Sequence, residues 1–212
     1  GAYNDGQMVK IAKDANGEYQ AVQTIKPAAG QMRMCPYGAT TDVHGNIWVS
    51  SRCGGTYDQA VKIDFKTGKI LAYVAIPSIY GIQADRNGNV WPVSYAVPGI
   101  NKGKLYQINI NTNTIVKSYL LNCRARGVTV DNVGDVWAAC SHDVAGAVTS
   151  ALARLQPSSG TVRYFGDVGR FTIGMTVDEE GYVWSISREN AKAYKTRVSD
   201  GARIGDFSTC DS

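Results

Sequence analysis

Four tryptophans at near-constant spacing constrain this chain more than any other feature. Trp48, Trp91, Trp137 and Trp184 stand 43, 46 and 47 residues apart. Each closes the same phrase: a glycine, a short apolar run, an aspartate, a turn with a second glycine, then an apolar residue and the indole. In the first copy, Gly38 to Ile63, a loose polar loop and a third run of alternating residues follow. The other copies open at Tyr80-Gly81-Ile82-Gln83-Ala84-Asp85, at Arg126-Gly127-Val128-Thr129-Val130-Asp131 and at Ile173-Gly174-Met175-Thr176-Val177-Asp178. A period in the forties with four strand-like runs per unit is the mark of a β-propeller blade. A twisted four-stranded sheet is apolar on both faces and hides them only by stacking on its neighbours.

The expected fold is therefore all-β: four full antiparallel blades, at about 35–79, 80–122, 123–170 and 171–212, in one structural domain. Within a blade, strand a (Ala39 to Asp42 in the first) is expected to be small and buried. Strand b carries the tryptophan, whose bulk fills the wedge between blades. Strands c and d are expected to be half exposed, with Val61, Ile63 and Phe65 inward and Lys62, Asp64 and Lys66 in water. Residues 1–34 repeat only the outer half of the unit: Met8 to Ile11 matches Ala60 to Ile63, and Tyr19 to Pro27 matches Lys69 to Pro77. That leaves a partial blade with no inner strands. It points to part of a larger ring, completed by another chain or segment; a closed four-blade ring with an extra hairpin is the alternative.

Composition narrows the function classes. The net charge of +4 comes without a Lys/Arg block, which argues against a nucleic-acid partner. No stretch approaches 18 consecutive apolar residues, so no membrane-spanning helix is expected. The five cysteines include no CxxC pair and the chain has two histidines, a poor set for a metal and a reasonable one for disulfides. Cys35 before strand a and Cys53 after strand b fall almost opposite each other. Cys123 and Cys140 share that topology about four residues out of register, a possible second pair. Cys210 is left unpaired or intermolecular. Disulfides imply an extracellular or periplasmic location.

Candidate binding residues gather at one end of the blades, the mouth. Arg33, Arg52, Arg126, Arg170 and Arg188 fall just before strand a or just after strand b, with Tyr37 and Tyr80 beside them. His142, followed by Asp143, lies past strand b on the same side. Guanidinium and aromatic groups round an opening suit an anionic or carboxylate-bearing ligand, or a protein contact. The plainer reading is that loop arginines keep the surface soluble. His44, in the turn at the opposite end, reads as a solvated turn residue. Asp14 to Gly17 and Asp85 to Asn89 read as turns, because a calcium loop needs a glutamate at its twelfth position.

At the repeated Gly-φ-x-x-Asp-x-x-Gly-Asn-φ-Trp pattern the chain resembles the virginiamycin B lyase (streptogramin lyase, Vgb-like) propellers, within the wider circle of NHL-type propellers. The resemblance implies a secreted bacterial propeller and, for the lyases, seven blades and metal-assisted opening of a cyclic depsipeptide by His and Glu at one mouth. Those blades typically read Pro-His-Gly into strand a and Trp-Phe-Thr-Glu along strand b. This chain has Tyr37, Tyr80, Arg126 and Ile173 at the His position, and Ser51, Ser94, Cys140 and Ser187 at the Glu position. With neither a base nor a metal ligand there, the expected function is a non-enzymatic scaffold or binding module without a cofactor. The alternatives are a lyase whose catalytic residues and Mg²⁺ lie in other blades, and a carbohydrate-binding propeller.

Overall fold

In the computed structural model, residues 6–27, 33–54, 58–142, 151–166, 168–169 and 171–209 are described. Every regular element among them is a strand. A two-stranded hairpin, β1 (Met8–Lys13) and β2 (Tyr19–Ile25), comes first. Four four-stranded antiparallel sheets follow. The first is β3 (Pro36–Thr41), β4 (Ile47–Ser51), β5 (Gln59–Ile63) and β6 (Ile70–Ala75). The second is β7 (Ile79–Ala84), β8 (Asn89–Ser94), β9 (Lys104–Asn109) and β10 (Thr114–Leu120). The third is β11 (Arg124–Val130), β12 (Val136–His142), β13 (Leu152–Gln156) and β14 (Thr161–Phe165). The fourth is β15 (Thr172–Val177), β16 (Tyr182–Ser187), β17 (Lys192–Arg197) and β18 (Arg203–Ser208). Strands pair strictly in sequence order, so each sheet is a meander.

The first strands of successive sheets lie side by side, β3 on β7, β7 on β11 and β11 on β15, and so line a common axis. No comparable contact joins β15 to β3, and the sheets form an open arc rather than a closed four-blade ring. The core is correspondingly divided into four slabs between neighbouring sheets. One holds Ile25 and Met8 against Val49, Val61 and Ile63. Trp48 enters the second slab beside Ile82 and Ile108, and Trp91 the third beside Val128 and Val136. The fourth packs Trp137 against Val183 and Tyr194.

Each tryptophan is fixed by the aspartate six residues before it. Oδ2 of Asp42, Asp85, Asp131 and Asp178 accepts the indole N–H of Trp48, Trp91, Trp137 and Trp184 at 2.7 to 2.9 Å. Oδ1 of the same aspartate accepts the backbone N–H four residues on, which closes the hairpin turn. The glycine of that turn (Gly45, Gly88, Gly134, Gly181) has φ between 80° and 91°, a conformation costly for other residues. One carboxylate thus ties the turn to the core.

Two expectations about exposure need correction. Strand β3 is not buried: its residues alternate between exposed and half-buried, because an innermost strand faces the central channel. The third strand is not half exposed. All five residues of β5 are buried, Lys62 included at 7% exposure, because sheets cover it on both faces. Lys62 lies over the Trp48 ring and donates to Ile110 O at 2.6 Å, bridging to the next sheet. Arg154 does the same over Trp137, donating to Asp135 and to Val198 O. Water reaches mainly the fourth strand, as along β10.

Candidate functional site

The mouth is the end at which the first strands begin and the second strands finish. Three positions of the repeat deliver side chains there. One precedes the strand-a glycine (Tyr37, Tyr80, Arg126, Ile173). A second lies three residues before that glycine (Cys35, Ser78, Arg124, Phe171), and a third follows the tryptophan by four (Arg52, Tyr95, Ser141, Arg188).

Neighbouring blades bring these positions into contact because the strand-a glycines permit close approach. A Cβ on Gly81 would stand 2.5 Å from Arg126 O, and one on Gly127 would stand 2.9 Å from Ile173 O. The chains can close up only where that carbon is missing. Tyr37 and Tyr80, on the first two blades, meet edge to face with ring centroids 4.5 Å apart and hydroxyls 2.6 Å apart. Arg52 lies over the Tyr80 ring at 4.7 Å. Arg126 lies over Tyr80 at 5.2 Å, Tyr95 at 5.0 Å and Phe171 at 5.3 Å. Arg124 follows over Tyr95 at 5.6 Å and donates to Asn101 Oδ1. The result is a row of three guanidiniums interleaved with aromatic rings.

Electrostatically the row is unbalanced. Among the described residues none of Arg52, Arg124 and Arg126 is ion-paired with a carboxylate, whereas Lys62, Arg154, Lys192, Lys195, Arg197 and Arg203 all are. Among the described residues the Nε of Arg126 is buried without a hydrogen-bond acceptor. Burial and the neighbouring Tyr80 hydroxyl push the Tyr37 phenol up to about 12, against the opposing pull of Arg126 and Arg52. The Tyr37 phenol therefore stays neutral at physiological pH and can donate or accept.

Of the residues expected at the mouth, Tyr37, Tyr80, Arg52 and Arg126 are brought together. Arg188 is exposed and stands outside the stack, its backbone N–H donating to Phe171 O. The backbone of His142 pairs with Arg124, but its side chain lies outside the described residues, as do Arg170 and Cys210. Arg33 is exposed, with its carbonyl accepting from Gln59. Tyr95, Phe171 and Arg124 were not singled out from the sequence, although the repeat contains the signal. Tyr95 stands four residues after its tryptophan, as Arg52 does.

Two disulfides flank the row. Cys35 pairs with Cys53, Cα atoms 5.1 Å apart, and holds the entry of β3 to the exit of β4 beside Arg52. Cys123 pairs with Cys140, Cα atoms 5.5 Å apart. The register offset between them is absorbed by irregularities at Arg124/Ala125 and Ala125/Val128, which set Cys140 opposite Ala125. At the positions matching the lyase glutamate, Ser51 Oγ accepts Cys35 N–H and Ser94 Oγ donates to Pro77 O, so both buried hydroxyls are tied to backbone. No cluster of three His, Cys, Asp or Glu side chains fit for a metal occurs among the described residues. His44, at the far end, reaches Asn111 of the next sheet through Nε2 at 3.1 Å.

Comparison with solved structures gives the fold a reference. Virginiamycin B lyase from Staphylococcus aureus superimposes with a TM-score of 0.73 at 16% identity, over 97% of this chain and 64% of the lyase. A protein of unknown function from Bacteroides caccae gives 0.69 at 12% identity, over 98% of this chain and 71% of the other. The extracellular domain of a two-component system protein from B. thetaiotaomicron gives 0.65 at 13%, over 96% of this chain and 31% of that one. No protein-family model and no curated protein matches the chain. The chain thus has the β-propeller fold of the virginiamycin B lyases, and it spans about two thirds of their length.

Proposed function

We propose that the chain is a secreted, non-enzymatic propeller module that recognises a ligand or protein at its mouth. The observation that carries this reading is the row Arg52–Tyr80–Arg126–Tyr95–Arg124, whose cations have, among the described residues, none of the carboxylate partners that other cations of the protein have. Arginine and tyrosine are the residues most often found where binding energy concentrates. Two disulfides and the likeness to an extracellular domain support an oxidising location. Serine and cysteine at the positions matching the lyase glutamate support the absence of elimination chemistry, which needs a base to take the proton next to a carbonyl.

Ring completion by another chain or segment belongs to the same reading. Trp48, Trp91 and Trp137 are covered by the following sheet, and the equivalent Trp184 is only half-buried. Ile186, two residues on, is 46% exposed, and Phe207, stacked on Trp184, is 51% exposed. At the other end, among the described residues, β1 pairs with β2 alone. A further blade on each side would give these faces the cover that the internal sheets have.

The test is an NMR titration of the labelled chain with acidic and neutral oligosaccharides, acidic peptides and a streptogramin B antibiotic with Mg²⁺, followed by mass spectrometry of each ligand. The expected outcome is a set of shifts centred on Tyr37, Tyr80, Tyr95 and Arg126, with every ligand unchanged. An opened depsipeptide ring would establish the lyase alternative, and shifts confined to the Asp-Gly turns would move recognition to the opposite end.

A further inference from the structure

We infer that the mouth is built for a carboxylate carried on a flat or ring-shaped body, with Arg126 as the residue that determines this specificity; the inference rests on the mouth being the binding site. Three features of Arg126 converge. Tyr80, Tyr95 and Phe171 surround its guanidinium at 5.0 to 5.3 Å, and aromatic rings attract a cation through their faces without accepting its N–H groups as a carboxylate does. Its Nε is a buried donor with no acceptor among the described residues, so the surrounding packing leaves the guanidinium incompletely satisfied. It directly precedes Gly127, and its carbonyl oxygen would stand 2.5 Å from a Cβ on Gly81, so its backbone packs closely against the preceding blade.

The neighbours define the rest of the ligand. Arg52 and Arg124 extend positive charge to both sides of Arg126, so an anion here meets an attractive field, with no carboxylate paired to either among the described residues. Tyr37 is 46% exposed and neutral, with its ring packed edge to face against Tyr80 and its hydroxyl shared with it. A planar fork of N–H donors matches the planar, two-oxygen edge of a carboxylate, and the rings favour a flat substituent behind it. Solubilising arginines would be exposed and separate. These are half-buried and share the Tyr80 and Tyr95 rings between them.

Calorimetric titration of the full chain with benzoate, benzamide and inorganic phosphate at fixed ionic strength tests the inference. Benzoate and benzamide share a ring and differ in charge. Benzoate is expected to bind at least tenfold tighter than benzamide, about 1.4 kcal/mol, and tighter than phosphate. Arg126→Lys keeps the charge without the fork, and is expected to weaken benzoate at least tenfold with an unchanged melting temperature. If Arg126→Lys lowers that temperature, Arg52→Lys is read in its place, with a smaller loss expected. Equal affinity for benzoate and benzamide would overturn the carboxylate assignment while leaving the mouth as a binding site. Retained benzoate affinity in both lysine variants, or tighter binding of phosphate, would overturn it as well. Silence from all three probes, with no mouth shifts in the NMR survey, would remove both this inference and the reading it rests on.

Discussion

At the scale of single residues, the aspartate of each hairpin turn is the side chain on which most depends. Asp85 accepts four hydrogen bonds: the N–H groups of Asn87 and Asn89, the Asn89 amide and the Trp91 indole N–H. Asp85→Ala strands a fully buried indole and opens the turn, and is expected to lower stability by about 2–3 kcal/mol in urea denaturation. Asp178→Ala is expected to cost less, because Trp184 is half-exposed and water can replace the lost acceptor. Equal losses at the two positions would show that the turn, not the indole, is what the aspartate serves. Tyr37 offers a second residue-scale test. With its phenol raised to about 12 by burial and by Tyr80, the neutral form is favoured in the folded state. Its contribution to stability is therefore full below about pH 10, the ordinary tyrosine value, and is lost as pH rises through about 12. Tyr80→Phe removes the shared hydroxyl and should move the Tyr37 transition in an ultraviolet alkaline titration to lower pH.

Single strands and their links show how far the sequence could be read. The blade order, the tryptophan wedges and the Cys35–Cys53 link were legible because each rests on a period or on a short hairpin. The burial of Lys62 was not, since alternation in one strand says which residues share a face without saying what covers that face. Tyr95 and Phe171 escaped for a related reason: they earn a role only through cations on the neighbouring blade, a contact no single repeat encodes. The disulfide is the element-scale prediction. Cys53→Ser releases a link across 18 positions, and the chain-entropy relation gives a loss of about 3 kcal/mol. Because Cys53 is adjacent to Arg52, the same variant should loosen the Arg52–Tyr80 stack and weaken benzoate. An unchanged benzoate affinity in Cys53→Ser would separate the disulfide from the mouth.

For the whole molecule, the question is what the arc of sheets presents to its surroundings. Gly38, Gly81, Gly127 and Gly174 occupy one position of the repeat, and their neighbours differ by place in the arc. Next to Gly81 and Gly127 stands a carbonyl of the following blade, closer than any Cβ tolerates. Beside Gly174 nothing among the described residues lies within 4 Å, and its φ is not in the left-handed region, so no local requirement for glycine is visible there. The requirement becomes intelligible if a further blade lays its inner strand against the fourth sheet, as the third and fourth sheets do against Gly81 and Gly127. Gly81→Ala should therefore separate the second and third sheets and lower the melting temperature of the 212-residue chain by several degrees, about 1–3 kcal/mol of overpacking. Gly174→Ala should leave that temperature unchanged or slightly raised, since alanine restricts the unfolded chain more than glycine does. In any assembly in which another chain or segment covers Trp184, the same Gly174→Ala change should weaken the association. If Gly174→Ala is as damaging as Gly81→Ala in the isolated chain, the fourth sheet is already packed in solution and the open arc is not its solution form.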